Sequence, residues 1–176
     1  NQYNQEILNT GSGLYKFRPD LVILFVDSRA ILGDNYFLPY LASDAQRKNL
    51  VDSKIKEIIS LIEKIKGNSD AKILLHNFEV PLYSPLGILE NRQKFGFIES
   101  IEYLNSGLRD TVKNDGRVFI LDYNAFCSKI GKYGIMDYKM YYLGDIKLDL
   151  QHIPLLCDEY LAYIKPLMSL TKKCIV

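Results

Sequence analysis

Three short, almost uninterrupted apolar runs punctuate the chain: residues 21–26 (LVILFV), 72–78 (KILLHNF) and 118–123 (VFILDY). Each is short for a helix and lacks the alternation of a half-exposed strand. That is the pattern of parallel strands with both faces covered. Between the runs the spacing becomes helical. From about Asp44 to Lys66, the residues Val51, Ile55, Ile58, Ile62 and Ile65 fall on one stripe. Ser43 and Gln46 have capping-box spacing at its start, and Gly67 is placed to end it. A second helix is expected from about Leu89 to Lys113. It carries Phe97, Ile101, Leu104, Leu108 and Val112 on one face, has Gly96 and Gly107 inside it, and closes at Asp115-Gly116. A shorter helix is expected over 125–130 and a last one over 154–168, where Pro154 suits the first turn and Pro166 should distort or end it. The polar stretch 1–19 reads as loop and short turns. Its Gly11-Ser12-Gly13 is no dinucleotide fingerprint, because no strand precedes it.

Strands alternating with helices predict an α/β fold: a three-layer α/β/α sandwich around a parallel sheet, with right-handed crossovers. Three strands make a thin sheet. The final residues, Thr171 to Val176 (TKKCIV), read as the start of a further buried strand, so the expectation is a piece of a longer protein whose sandwich is incomplete. A bare parallel edge invites pairing with a second copy, so a homodimer through the exposed sheet edge is expected as one arrangement.

Composition narrows the function classes. The 176 residues are 48% apolar with a net charge of +1, an ordinary globular balance with enough chain for one core. A neutral balance without a basic run argues against a nucleic-acid surface, and the 13 tyrosines are more simply read as core edges and interfaces. No apolar stretch reaches the ~20 residues of a membrane span. Cys127, Cys157 and Cys174 are few and scattered, which fits reduced thiols in the cytoplasm. His76 and His152 are the only histidines, and neither belongs to a metal-binding array, so no metal is expected.

In open parallel sheets, ligands bind beyond the carboxyl ends of the strands. That rule selects Asp27, Ser28 and Arg29 after the first run. It selects His76, Asn77 and Glu79 at the end of the second, and Asp122 and Asn124 after the third. The segment before the last helix adds Asp149-Leu150-Gln151-His152. A carboxylate three residues ahead of a histidine at a helix start could hold the imidazole as a neutral general base. It could equally be a turn-capping aspartate beside a half-buried histidine. Ser28 follows a strand and an aspartate, as a nucleophile turn would, but Val26 stands where such a turn needs glycine; the alternative is a polar cap. Asn77 could donate to an oxyanion or satisfy backbone in its own turn. Asp122 could line the crevice or anchor the next helix. The stretch 131–148 (GKYGIMDYKMYYLGDIKL) is long for a connection and has no clear period. It reads as a binding loop or lid bearing Tyr138, Tyr141 and Tyr142, or as a packed cover.

Several blocks together resemble a known family. They are residues 2–16 (QYNQEILNTGSGLYK), 18–34 (RPDLVILFVDSRAILGD), 75–90 (LHNFEVPLYSPLGILE), 137–148 (DYKMYYLGDIKL) and 163–176 (YIKPLMSLTKKCIV). In this order they resemble the N-terminal half of FkbH-like proteins, bacterial members of the haloacid-dehalogenase superfamily, subfamily IIIC. The resemblance implies an SGNH-hydrolase-like or flavodoxin-like α/β domain over 1–170 that is N-terminally truncated, lacking the first strand with its nucleophile turn, and the first residues of a phosphatase domain over 171–176. It implies acyl or glyceryl handling, or docking of an acyl carrier protein, in polyketide or surface-polysaccharide biosynthesis. No cofactor is implied in this part, and the phosphatase domain is its implied partner. Asp149 and His152 match the fourth-block D-x-x-H of SGNH domains. Asp27-Ser28-Arg29 stands at the third block, where such domains carry a glycine and an asparagine that are absent here.

Three readings follow. The first is an accessory domain that binds acyl or glyceryl groups or a carrier protein, inactive alone, with Lys129, Lys132 and Lys139 offering a basic docking face. The second is an autonomous serine esterase or acyltransferase with Ser28 as nucleophile, His152 as base and Asp149 as orienter. The third is a non-catalytic dimerisation module.

Overall fold

A computed structural model describes residues 2–144 and 146–171, apart from the side chain of Tyr138. The strand expected from the final residues lies, beyond Thr171, outside the described residues. The chain divides into two compact units, Asn1–Asp122 and Tyr123–Val176.

In the first unit, α1 (Gln2–Leu8) and α2 (Gly13–Phe17) precede β1 (Leu21–Leu24), where loop and turns were expected. Side chains close this start locally. Ser12 Oγ donates to the Glu6 carbonyl at 2.6 Å, and Tyr15 Oη donates to the Ile7 carbonyl at 2.7 Å. The chain then forms α3 (Ser28–Leu32), α4 (Asp44–Asn68), β2 (Lys72–His76), α5 (Phe97–Val112) and β3 (Val118–Leu121). The strands form an open parallel sheet in the order β1-β2-β3. They are shorter than the apolar runs, because the last residues of each run leave the ladder to build the loops at the carboxyl end.

Register lines up two apolar rows on one face of the sheet: Val22, Ile73 and Val118 in one, and Leu24, Leu75 and Ile120 in the other. This face packs with Ile58, Ile62 and Ile65 of α4 and with Ile101, Leu104 and Leu108 of α5 in one buried cluster. The helical stripes and the strand alternation thus bury the same face. The other face is uneven. Leu74 and His76 of the central strand are buried, whereas Ile23 and Phe25 at the edge are 39% and 43% exposed.

The capping box forms as expected: Ser43 Oγ accepts from Gln46 N at 3.3 Å, and Gln46 Oε1 accepts from Ser43 N at 2.8 Å. Gly67 does not end α4, which runs through it to Asn68 before Ser69 turns extended. The second long helix is broken. A 3-10 stretch, Gly87–Arg92, is followed by Gly96 as the N-cap of α5, so this glycine stands at a helix start and not inside one. At the amino end of the sheet, Asp115 accepts from Lys66 Nζ at 2.5 Å and from Arg117 N at 2.9 Å. These bonds hold the Asp115 carboxyl below the usual range, the Lys66 bond foremost.

The second unit contains α6 (Tyr123–Ile130), α7 (Lys132–Ile135), α8 (Tyr138–Gly144) and α9 (Ile153–Leu167). The stretch 131–148 is therefore largely helical, and an antiparallel bridge between Met136 and Leu148 closes it into a loop. Pro166 sits in the last turn of α9, which ends one residue later. The chain is thus an α/β protein built on an open three-stranded parallel sheet, as an incomplete α/β sandwich requires. Among the described residues no helix is long and apolar enough to cross a membrane.

Candidate functional site

At the carboxyl ends of the strands, each predicted residue has a local task. Asp27 caps α3, its Oδ1 accepting from Arg29 N at 2.8 Å. The Arg29 guanidinium lies over the Phe37 ring, 5.7 Å from the centroid. Ser28 enters α3 with its side chain turned inward and donates from Oγ to Glu79 Oε1 at 3.0 Å. Ser28 is 1% exposed and Glu79 4%, so this bond joins the turn after β1 to the loop after β2 inside the protein. Val26 belongs to the core below it.

Asn77 extends the β2–β3 ladder by one bond, from its N–H to the Leu121 carbonyl at 3.1 Å. Its side-chain amide donates to Asp122 Oδ1 at 2.8 Å, so the two sequence candidates at the ends of β2 and β3 are brought together. His76, at the end of β2, is buried and stacks on Phe25 with centroids 4.2 Å apart. Burial pulls its pKa from 6.5 down to about 4, so the imidazole is neutral at physiological pH. Two residues on, Asn105 of α5 grips Phe78 on both sides, accepting from its N–H at 2.8 Å and donating to its carbonyl at 2.7 Å.

In the second unit, Asp149 precedes a 3-10 turn, Leu150–His152, and caps it. Its carboxylate accepts from Gln151 N at 3.1 Å and Gln151 Nε2 at 3.2 Å. His152 Nε2 lies 3.2 Å from the Gly134 carbonyl. A carbonyl only accepts, so Nε2 is the donor in this contact. The D-x-x-H spacing is thus used for a turn, with the aspartate on Gln151 and the histidine on Gly134. Lys129 pairs with Glu159 at 2.9 Å, and Lys132 donates to Asn124 Oδ1 at 2.8 Å. Among the described residues, no group of three or more His, Cys, Asp or Glu side chains is placed to hold a metal ion.

Two buried charges that shape the loops at this end were not singled out from sequence. Arg47 is 4% exposed and donates to the carbonyls of Phe95 at 2.7 Å, Pro39 at 3.0 Å and Ala42 at 2.5 Å. Its signal was a cation in phase with the apolar stripe, four residues ahead of Val51. Glu90 is 8% exposed and binds the first turn of α5, its carboxylate accepting from Phe97 N at 3.1 Å and Ile98 N at 2.7 Å, and from the Ser84 hydroxyl. Nothing in its local sequence marks that role.

Comparison with known proteins adds a lineage. No curated protein matches the chain. Among solved structures it resembles the crystal structure of the N-terminal part of the protein BF1531 from Bacteroides fragilis, described as containing a phosphatase domain complexed with Mg. The TM-score is 0.81 at 21% sequence identity, and the match covers 99% of this chain and 44% of that one. The chain thus spans less than half the length of that relative, and at this identity the likeness concerns the fold. The sequence matches the family described as FkbH, N-terminal domain, over residues 1–165, so the chain belongs to the FkbH N-terminal domain family.

Proposed function

We propose that this domain is the N-terminal accessory part of a longer biosynthetic protein. There it binds an acyl- or glyceryl-loaded carrier protein, and a haloacid-dehalogenase-type domain of that protein supplies phosphatase chemistry. The observation that carries binding over turnover is the placement of Ser28. The residue is 1% exposed and its hydroxyl is engaged by the Glu79 carboxylate. A serine nucleophile needs open access and a base able to take its proton near neutral pH. A buried serine on a carboxylate instead serves as a tie between loops. The turn-capping geometry of Asp149 supports the same reading, with an SGNH-like ancestry whose third block lacks its glycine and asparagine.

The second unit offers the docking chemistry. Lys129 has a side chain 74% exposed, Lys139 is exposed, and Tyr133, Tyr142 and Leu143 are 74%, 59% and 76% exposed. Cations among aromatic and aliphatic side chains suit an acidic helical partner with an apolar ridge. A cytoplasmic setting belongs to this reading, supported by the few, scattered cysteines of the chain.

Two measurements test it. Reversing Lys129, Lys132 and Lys139 to Glu should weaken binding of a glyceryl- or acyl-loaded carrier protein by about tenfold or more at low salt; an unchanged Kd rejects the docking face. The wild-type chain should give no stoichiometric burst with a short activated ester. A burst abolished by Ser28→Ala and by His152→Ala, with both variants folded, would replace this reading by an esterase using Ser28, His152 and Asp149.

A further inference from the structure

The loops that follow β1 and β2 display large apolar side chains that the core does not use. In the first loop Tyr40 is 60% and Leu41 73% exposed; in the second Tyr83 is 66%, Ile88 94% and Leu89 48% exposed. The loops are neighbours, because the single guanidinium of Arg47 donates to Pro39 and Ala42 in the first and to Phe95 in the second. Both are ordered. The first is wound into 3-10 turns at Gly33–Tyr36 and Pro39–Leu41, and the second is held on α5 by Glu90. Soluble monomers seldom expose contiguous apolar patches beyond about 300–600 Å². Two of the five, Tyr40 and Tyr83, belong to a class that carries about 150–250 Å² each, so these neighbouring loops expose an unusual amount of apolar surface.

The charges of the face are divided between the loops. The first carries an exposed Asp34, and the second carries exposed Arg92 and Lys94. The carboxylates of the second loop, Glu79 and Glu90, are buried and engaged, so its accessible charge is positive.

We propose that this face is a two-fold interface with a second copy of the chain, the first loop of each copy lying on the second loop of the other. A two-fold axis sets residue i against j and j against i. Tyr40 and Leu41 therefore meet Ile88 and Leu89 twice, and Asp34 meets Arg92 twice. The division of charge between the loops suits this self-pairing and opposes stacking of like loops. This dimer uses the loops at the carboxyl ends of the strands and leaves the sheet edges free.

Solution mass by light scattering and sedimentation, from low to high micromolar chain, tests the proposal. The mass should rise with concentration from 20.3 kDa to twice that value. Ile88→Glu should weaken association about a hundredfold. Asp34→Arg and Arg92→Asp should each weaken it, and the two together should restore it, which a general loss of solubility or of folding would not produce. Circular dichroism of each variant monitors the fold. A monomer throughout the range overturns the proposal, as does capture of that face by another protein only. A dimer indifferent to Ile88→Glu but dissociated by Ile23→Lys on β1 also overturns it, in favour of the sheet edge.

Discussion

Ser28 donates its hydroxyl proton to the Glu79 carboxylate across 51 positions of sequence, and the bond is buried at both ends. Ser28→Ala takes one donor from a buried carboxylate, so the stability to urea should fall by about 1.5–3 kcal/mol. Glu79→Gln keeps an acceptor oxygen of the same shape and should cost less than Ser28→Ala combined with Glu79→Ala. Tyrosine fluorescence can follow unfolding, since the chain has 13 tyrosines and no tryptophan. Wild-type stability in Ser28→Ala would mean that the tie carries no energy.

Gly96 is required by its neighbour and not by its backbone, whose φ of −69° suits any residue. A Cβ at this position would lie 2.2 Å from Glu90 Oε1 and 2.8 Å from its Cδ. Gly96→Ala should therefore destabilise by about 1–3 kcal/mol. Combining it with Glu90→Ala should cost less than the sum of the two, because the side-chain clash goes with the carboxylate and leaves only the Glu90 carbonyl oxygen, 3.1 Å from the Cβ. A double-mutant cycle from thermal unfolding reads this directly, and strict additivity would show that the carboxylate moves aside freely.

Arg47 supplies donors to three carbonyls that otherwise lie at the buried seam between two loops. Arg47→Met should cost on the order of 3 kcal/mol, the scale of unsatisfied buried polar groups and broken buried charge contacts. Arg47→Lys should recover little of it, because an ammonium lacks the planar fork that reaches all three oxygens. Limited proteolysis should then cut within residues 33–42 sooner than in wild type. A wild-type-like lysine variant would place the energy in charge alone.

His76 makes the fold sensitive to acid. Its pKa is held down to about 4 in the folded protein against 6.5 for an ordinary histidine. Between these values the unfolded chain binds a proton that the folded chain excludes, so stability falls as pH drops. The contribution is fully present above about pH 6.5 and is lost down to about pH 4, amounting to roughly 3 kcal/mol at 1.36 kcal/mol per unit. Urea midpoints across this window should slope less in His76→Phe than in wild type; parallel slopes would assign the acid sensitivity to other groups.

How much was legible in the chain depends on range. The strand cores, the stripe of α4 and the capping box at Ser43 and Gln46 follow from local period and local hydrogen bonding, and they appear where expected. The Gly96 helix break does not follow. Its cause is Glu90, a carboxylate that reaches Phe97 and Ile98 from outside the helix. The helices of the stretch 131–148 were hidden because their apolar residues lack a sustained period. Asn77 and Asp122 were picked as strand-end residues, and the parallel register of β2 and β3 is what joins them.

The sequence by itself determined the three strands, the apolar stripes of the long helices α4 and α5 and the family, since apolar periodicity and ordered motif blocks are properties of neighbours along the chain. Only the tertiary structure decided what the candidate side chains do. Ser28 belongs to Glu79, Asp149 to Gln151 and His152 to Gly134. A hydrogen-bond partner is chosen by distance and desolvation once the strands are in register, and spacing along the chain does not encode that choice.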